Sequence, residues 1–192
     1  MRSALIQAIR PALVVMAALT LITGLAYPAA VTAVAQVVFP DQANGSLVVV
    51  NGTAVGSTLI GQTFTDPKYL WGRPSAAGAG YDGEASGGSN LASTGHKLID
   101  RVTASLAQWQ AANGNAPVPV DLVTTSASGL DPDISPAGAA YQVARIAAAR
   151  GISAAAVQVI VDRHTSAALL GFLGEPSVNV LLVNLDLDGL LK

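Results

Sequence analysis

The hydrophobic pattern divides the chain into two very unequal parts. Between Arg10 and Asp41 the only ionisable side chain is the Tyr27 phenol, and Ala, Val, Leu and Ile dominate the run. Roughly 20 mainly apolar helical residues cross a bilayer core, so this run spans one with residues to spare. At about 1.5 Å per residue, its last turns near Gln36 and Phe39 project beyond a hydrocarbon core of about 30 Å. Pro28 falls late in the run and removes one backbone hydrogen bond. Membrane helices tolerate such a kink when a neighbouring helix satisfies the freed carbonyl, which makes Pro28 a candidate partner contact. Arg2, Arg10 and the terminal amine precede the run and Asp41 is the first charge after it, so the positive-inside rule puts the N-terminus in the cytoplasm. Ala33-Val34-Ala35 has the small-x-small pattern of a cleavage site. The apolar stretch is longer than the about 7–15 residues of a signal peptide, however, and an uncleaved anchor fits better. The expected division is a cytoplasmic N-terminus over residues 1–10, a transmembrane anchor over 11–38 and an extracytoplasmic domain over 39–192.

Beyond the anchor the pattern alternates between short β-type and helical periods. Leu47-Val48-Val49-Val50, Asn51-Gly52 and Thr53-Ala54-Val55 read as a β-hairpin with an Asn-Gly turn. From Asp66 to Asn90 the chain is rich in Gly, Ser, Pro and Ala, a composition that favours irregular backbone; Tyr69, Trp71, Tyr81 and Arg73 argue that it is ordered. Leu91, Leu98, Val102, Leu106 and Trp109 recur at helical spacing, with Asn90 or Ser93 as N-cap and Asn113-Gly114 as the stop. Val118 to Thr124 reads as a short strand. Ser135-Pro136 starts a helix that runs to Arg150 and ends at Gly151. A second helix follows Ser153 and carries Val157, Ile160 and Val161 inward. Val178 to Leu187, after the turn residues Gly174-Glu175-Pro176, reads as a core strand. The fold class is α+β: one N-terminal transmembrane helix followed by a single mixed extracytoplasmic domain.

Composition agrees with an apolar environment. Hydrophobic residues make up 51% of the 192 residues and charged ones 11%, well under the about 25% charged of soluble domains. The formal net charge of -2 and the absence of any Lys/Arg-rich run make nucleic acid an unsuitable partner. There is no cysteine, hence neither disulfides nor thiolate metal sites.

Candidate chemistry is sparse. Ser126, Ser128, Asp131, Asp133 and His164 are the residue types of a Ser-His-Asp hydrolase, but no G-x-S-x-G elbow is present and only His96 and His164 are available as base. His164 is better read as a helix C-terminal imidazole near the last carbonyls. Asp131-Pro132-Asp133 lacks further metal ligands at a recognisable spacing and reads as a solvated turn before the Ser135 cap; in a functional version, Asp131 and Asp133 steer cations by their field. Ser86-Gly87-Gly88-Ser89-Asn90 leads into a helix, where free N–H groups bind anions or nucleotide phosphates. The bland reading is a Gly-rich turn that lets two backbones approach.

A family resemblance rests on many ordered blocks. They include Arg10-Pro11-Ala12-Leu13, Thr23-Gly24-Leu25-Ala26-Tyr27-Pro28, Gly56-Ser57-Thr58-Leu59-Ile60-Gly61-Gln62 and Leu70-Trp71-Gly72-Arg73-Pro74-Ser75-Ala76. Further along stand Tyr81-Asp82, Ser86 to Leu91, Pro119-Val120-Asp121-Leu122-Val123-Thr124 and Gly129 to Pro136. Ala149-Arg150-Gly151, His164-Thr165, Leu170 to Pro176 and Val178-Asn179-Val180-Leu181 complete the set. With these, nearly the whole chain resembles the C subunit of the Kdp potassium-transporting P-type ATPase. It departs from the family at Ala92-Ser93-Thr94-Gly95, where Gly-Pro-Thr-Asn is usual, and at Ser166, where Glu is usual.

The resemblance implies a non-catalytic accessory subunit of an ATP-driven, high-affinity potassium importer in the bacterial inner membrane. Its implied partners are a pore-forming potassium-binding subunit and a P-type ATP-hydrolysing subunit, besides membrane lipid, and ATP and potassium are handled by the complex. The family is also described as a catalytic chaperone that raises the ATP affinity of the hydrolysing subunit, with the Ser86–Asn90 string likened to an ABC-type signature. The positive-inside reading places that string outside, where ATP is scarce, so assembly and a cap over external potassium entry agree better with the residues. A subunit leaves an apolar patch around Tyr69, Trp71 and Leu170 to Phe172 exposed, with Arg73 beside it, for its partners. The alternative is a stand-alone membrane-anchored binding module.

Overall fold

The computed structural model describes residues 2–191; the terminal amine counted in the N-terminal flank lies outside them. The chain divides into two compact units between Leu47 and Val48. The first begins with α1 (Arg2–Leu21), passes through a π-helical turn (Ile22–Ala26) and continues as α2 (Tyr27–Val38). Within it lie the 32 residues Gln7–Val38, which contain an 18-residue window of mean hydropathy 1.9 and are long and apolar enough to cross a membrane. Nearly every side chain along this stretch is exposed. The π turn explains how Pro28 is accommodated: proline has no N–H and its ring crowds the carbonyl four residues back, here that of Gly24. The wider turn, closed by the Tyr27 N–H donating to Ile22 O, makes room for the ring without ending the helix. Phe39 then breaks the helix with φ -136°, and Pro40 opens the short α3 (Pro40–Ala43). The amides of Gln36 and Asn44 exchange hydrogen bonds of 3.3 and 3.1 Å across this corner.

The second unit opens with the expected hairpin, β1 (Leu47–Val50) and β2 (Thr53–Ser57). Asn51 and Gly52 have φ of 50° and 80°, the two positive angles of a type I′ turn. No helix or strand forms from residue 58 to 95, in keeping with the Gly-, Ser- and Pro-rich composition. Helix α4 (His96–Asn113) starts later than the Leu91 periodicity indicates, and its N-cap is Gly95 with no side-chain cap. Asn90 cannot serve, because its φ of 49° lies in the left-handed region while an N-cap is extended. Ser93 lies inside a turn closed by Gly95 N–H to Ala92 O at 2.9 Å.

The strand expected over Val118–Thr124 is instead a 3₁₀ turn at Val120–Leu122. Pro117 and Pro119 remove two donors that a ladder would need. The helix at the Ser135-Pro136 start forms as expected: in α5 (Pro136–Arg150) the Ser135 hydroxyl accepts from Gly138 N–H, and Gly151 ends the helix at φ 66°. Ser153 likewise caps α6 (Ala154–Arg163), which buries Val157 and Val161. A second, three-stranded antiparallel sheet has the order β3 (Asp133–Ile134), β5 (Ser177–Asn179), β4 (Thr165–Ser166). Val178 is its centre, opposite Ile134 on one side and Thr165 on the other.

The other departure is at the C-terminus. Of the expected strand Val178–Leu187 only the first residues are extended; the rest is α7 (Val180–Leu187), capped by the Asn179 side chain, which accepts from Leu182 N–H. Val180, Leu181, Val183, Asn184 and Leu185 are all buried, so the helix is enclosed on most of its faces and shows no 3.6-residue period. Helices α4 to α7 and the three-stranded sheet share one core, centred on Leu122, Ile134, Ile146, Val157, Val178 and Val183.

Candidate functional site

The irregular segment that begins at Asp66 is held in place by side chains from α5 and α7. Gln142, fully buried, accepts from Trp71 N–H at 2.9 Å and donates to Trp71 O at 3.0 Å. Asn184, also buried, does the same for Leu70, at 2.7 and 2.9 Å. These amides replace the missing strand neighbours of an extended backbone whose polar groups would otherwise be buried unpaired. Two arginines extend the clamp. Arg145 donates to the carbonyls of Pro67 and Tyr69 and lies 3.9 Å from the centre of the Trp71 ring. Burial pushes its guanidinium down to about 10. Arg150 donates to Lys68 O and Leu187 O and pairs with Asp188 at 2.7 Å. Of these four residues only Arg150 is named from the sequence, as a helix end and within a family block, although a lone amide in an apolar helical run such as Asn184 is a signal of this kind.

Tyr69 and Trp71 are half-buried and make hydrogen bonds within the domain. The Tyr69 hydroxyl donates to Asp188 at 2.8 Å, and the Trp71 indole N–H donates to Asp66 O at 2.9 Å. Of the apolar patch expected around Tyr69, Trp71 and Leu170 to Phe172, the first two residues are half-buried and the last part is exposed. There Leu169, Leu170 and Phe172 are 68%, 76% and 74% exposed on a turn closed by Leu169 and Leu173, with Leu170 and Gly171 at positive φ. Pro28 lies in the other unit, next to the π turn.

Arg73 pairs with Asp131 at 2.7 Å and donates to Thr124 O. Asp133 accepts from Ser177 and from the Asn179 amide. The Asp131-Pro132-Asp133 segment is thus not a solvated turn: it leads into strand β3, and both carboxylates hold internal partners. The Ser75 hydroxyl ties the neighbouring loops together, donating to Gly129 O at 2.6 Å and accepting from Tyr81 N–H at 2.7 Å. The Tyr81 hydroxyl donates to Arg73 O, and the phenol is pushed up to about 12 by burial first and by the Asp131 charge second.

Ser86 to Asn90 does not abut a helix, since α4 begins at His96. It lies against residues 126–129: Gly87 N–H and the Ser86 hydroxyl both donate to Ser128 O. A side chain at Gly88 would press on Ala127, and one at Gly129 would reach within 2.6 Å of Ala77 N and Gly87 O. This is the close approach of two backbones that the glycines permit. The departing residues Ala92 to Gly95 form the turn before α4, and Ser166 sits in β4 opposite Ser177.

His164 caps α6, but its ring turns to Asp186, 2.9 Å away, rather than to the last carbonyls. Ser126 and Ser128 bond each other and neighbouring backbone. Among the described residues no group of three or more His, Asp or Glu is placed to hold a metal ion.

One apolar helix of membrane-spanning length followed by an α+β domain is the architecture of a single-pass membrane protein. The chain belongs to the KdpC family: the family described as "KdpC: K+-transporting ATPase, c chain" matches residues 9–189. It is 59% identical over 184 residues to the Potassium-transporting ATPase KdpC subunit of Sorangium cellulosum, covering 94% of this chain and 97% of that one. The KdpC subunit of Variovorax paradoxus is 60% identical over 183 residues, with 94% and 95% covered. That of Koribacter versatilis is 54% identical over 170 residues, with 88% of each covered.

Proposed function

We propose that this chain is a non-catalytic accessory subunit of a potassium-importing ATPase, anchored in the bacterial inner membrane with its N-terminus in the cytoplasm and its domain outside. It is needed for assembly with the pore-forming and ATP-hydrolysing subunits, which handle potassium and ATP. The observation that carries this reading is the tip at Leu169–Leu173: four leucine and phenylalanine side chains stand in solvent on an ordered turn, in a family whose curated relatives are named as one subunit of a potassium-transporting ATPase. Exposed apolar clusters of this kind mark surfaces that a partner covers. Hydrogen bonds of Ser86 and Gly87 to Ser128 support a scaffolding role for the Gly-rich string over direct nucleotide contact.

The test is purification of the tagged full-length chain from its native membrane in mild detergent. A polytopic pore protein and a P-type ATPase should co-purify, with potassium-stimulated ATP hydrolysis that falls when this chain is deleted. Leu170→Ser combined with Phe172→Ser should reduce that co-purification by at least about tenfold, given about 1.5–3 kcal/mol for each buried apolar side chain. Recovery of the chain alone, without ATPase, would instead favour a stand-alone membrane-anchored module.

A further inference from the structure

A second feature lies apart from the tip. Residues 62–65, 71–75 and 79–81 and one side of α4 enclose a cleft of about 520 Å³, within the roughly 300–1,000 Å³ of small-molecule sites. No Asp or Glu lines it, although acidic residues outnumber basic ones 12 to 10 in the chain. Two guanidinium groups do. Arg73 is neutralised by Asp131. The Arg101 side chain has no ion pair or hydrogen bond among the described residues, and its Nε is buried without an acceptor. A buried donor left unpaired is unfavourable and rare, and the residue that carries it lines the cleft.

We propose that the cleft binds a small organic carboxylate with a flat apolar body, anchored by Arg101. The guanidinium fork matches the two oxygens of a carboxylate. Phe64, Trp71 and Trp109 supply apolar wall, and Thr63, Ser105 and Gln108 supply hydroxyl and amide groups that orient the ligand. One unpaired cation suits a single negative charge rather than a polyphosphate, and the Ser86–Asn90 string does not line the cleft. This assignment is independent of the accessory-subunit reading.

The chain's two tryptophans both line the cleft, so occupancy changes the tryptophan emission of the full-length protein in detergent. Benzoate should change it saturably, and benzamide, of the same shape without the charge, should bind at least about tenfold more weakly. Arg101→Gln should abolish that preference, and Arg101→Lys, which keeps the charge but not the fork, should reduce it. Absence of a saturable benzoate response, equal binding of benzamide, or a preference that survives Arg101→Gln overturns the proposal. If Arg101→Gln does not fold, Arg101→Lys decides: a reduced preference supports the site and an unchanged one overturns it. Inorganic phosphate displacing benzoate at lower concentration than acetate does also overturns the carboxylate assignment.

Discussion

Two buried amides do at the residue scale what a neighbouring strand does in a sheet. Replacing Gln142 or Asn184 by Leu removes both bonds to one backbone residue and leaves its N–H and C=O buried and unpaired. Each change should destabilise the protein by about 2–4 kcal/mol, read as a shift of the urea midpoint without a large change in slope. Glycine positions separate in the same assay. Gly151 has φ 66° but nothing within 4 Å of an added Cβ, whereas at Gly129, with the same φ, that atom would meet Ala77 N and Gly87 O at 2.6 Å. Gly151→Ala should cost about 1 kcal/mol and Gly129→Ala clearly more, because backbone on both sides must move. Asp188 supplies a pH dependence. Burial alone would raise its carboxyl, but hydrogen bonds from Arg150 and Tyr69 and the nearby positive charge hold it below the ordinary 3.8. A lowered folded value means stability that is present above about pH 4 and lost as pH falls through that folded value. Asp188→Asn should flatten this acid limb, as followed by the thermal midpoint between pH 5 and pH 2.

Among the elements, the helices with cap signals were placed to the residue, while α4, without a side-chain cap, was legible as a helix with its stop at Asn113-Gly114 but not in its start. Ser135-Pro136 and Ser153 each placed a helix start correctly, and the Asn-Gly pair placed the hairpin. At Val178–Leu187 the alternating and helical periods are equally filled by apolar residues, so the sequence pattern alone could not separate strand from helix. The decision falls to Asn179, which caps α7 while its amide also donates to Thr58 O and Asp133. Ser153→Ala, which removes a cap alone, should cost about 1 kcal/mol. Asn179→Ala should cost noticeably more in the same denaturation series, since besides the cap it removes two contacts that join separate segments; equal costs would reduce Asn179 to a simple cap.

For the whole molecule, the open question of sidedness has a clean assay because the chain contains no cysteine. Single substitutions Gln7→Cys, in the flank before Arg10 and the anchor expected over residues 11–38, and Glu175→Cys, far beyond it, both lie at exposed positions. In spheroplasts, a membrane-impermeant maleimide should label the cysteine at 175 and spare the one at 7 until the membrane is opened, as the flanking charges predict. The reverse pattern would overturn the proposed orientation and with it a role at the external face.

The sequence by itself determined the apolar span, the α+β class, three of the cap and turn positions and the resemblance to a family, because these depend on composition and local spacing. Tertiary structure alone decided that Tyr69 and Trp71 are half-buried and hydrogen-bonded within the domain while Leu170 and Phe172 are exposed, that Asp131 and Asp133 are paired, and that the Arg101 side chain is not. Each of those outcomes depends on which distant side chain arrives within about 3 Å, a distance set by packing rather than by spacing along the chain.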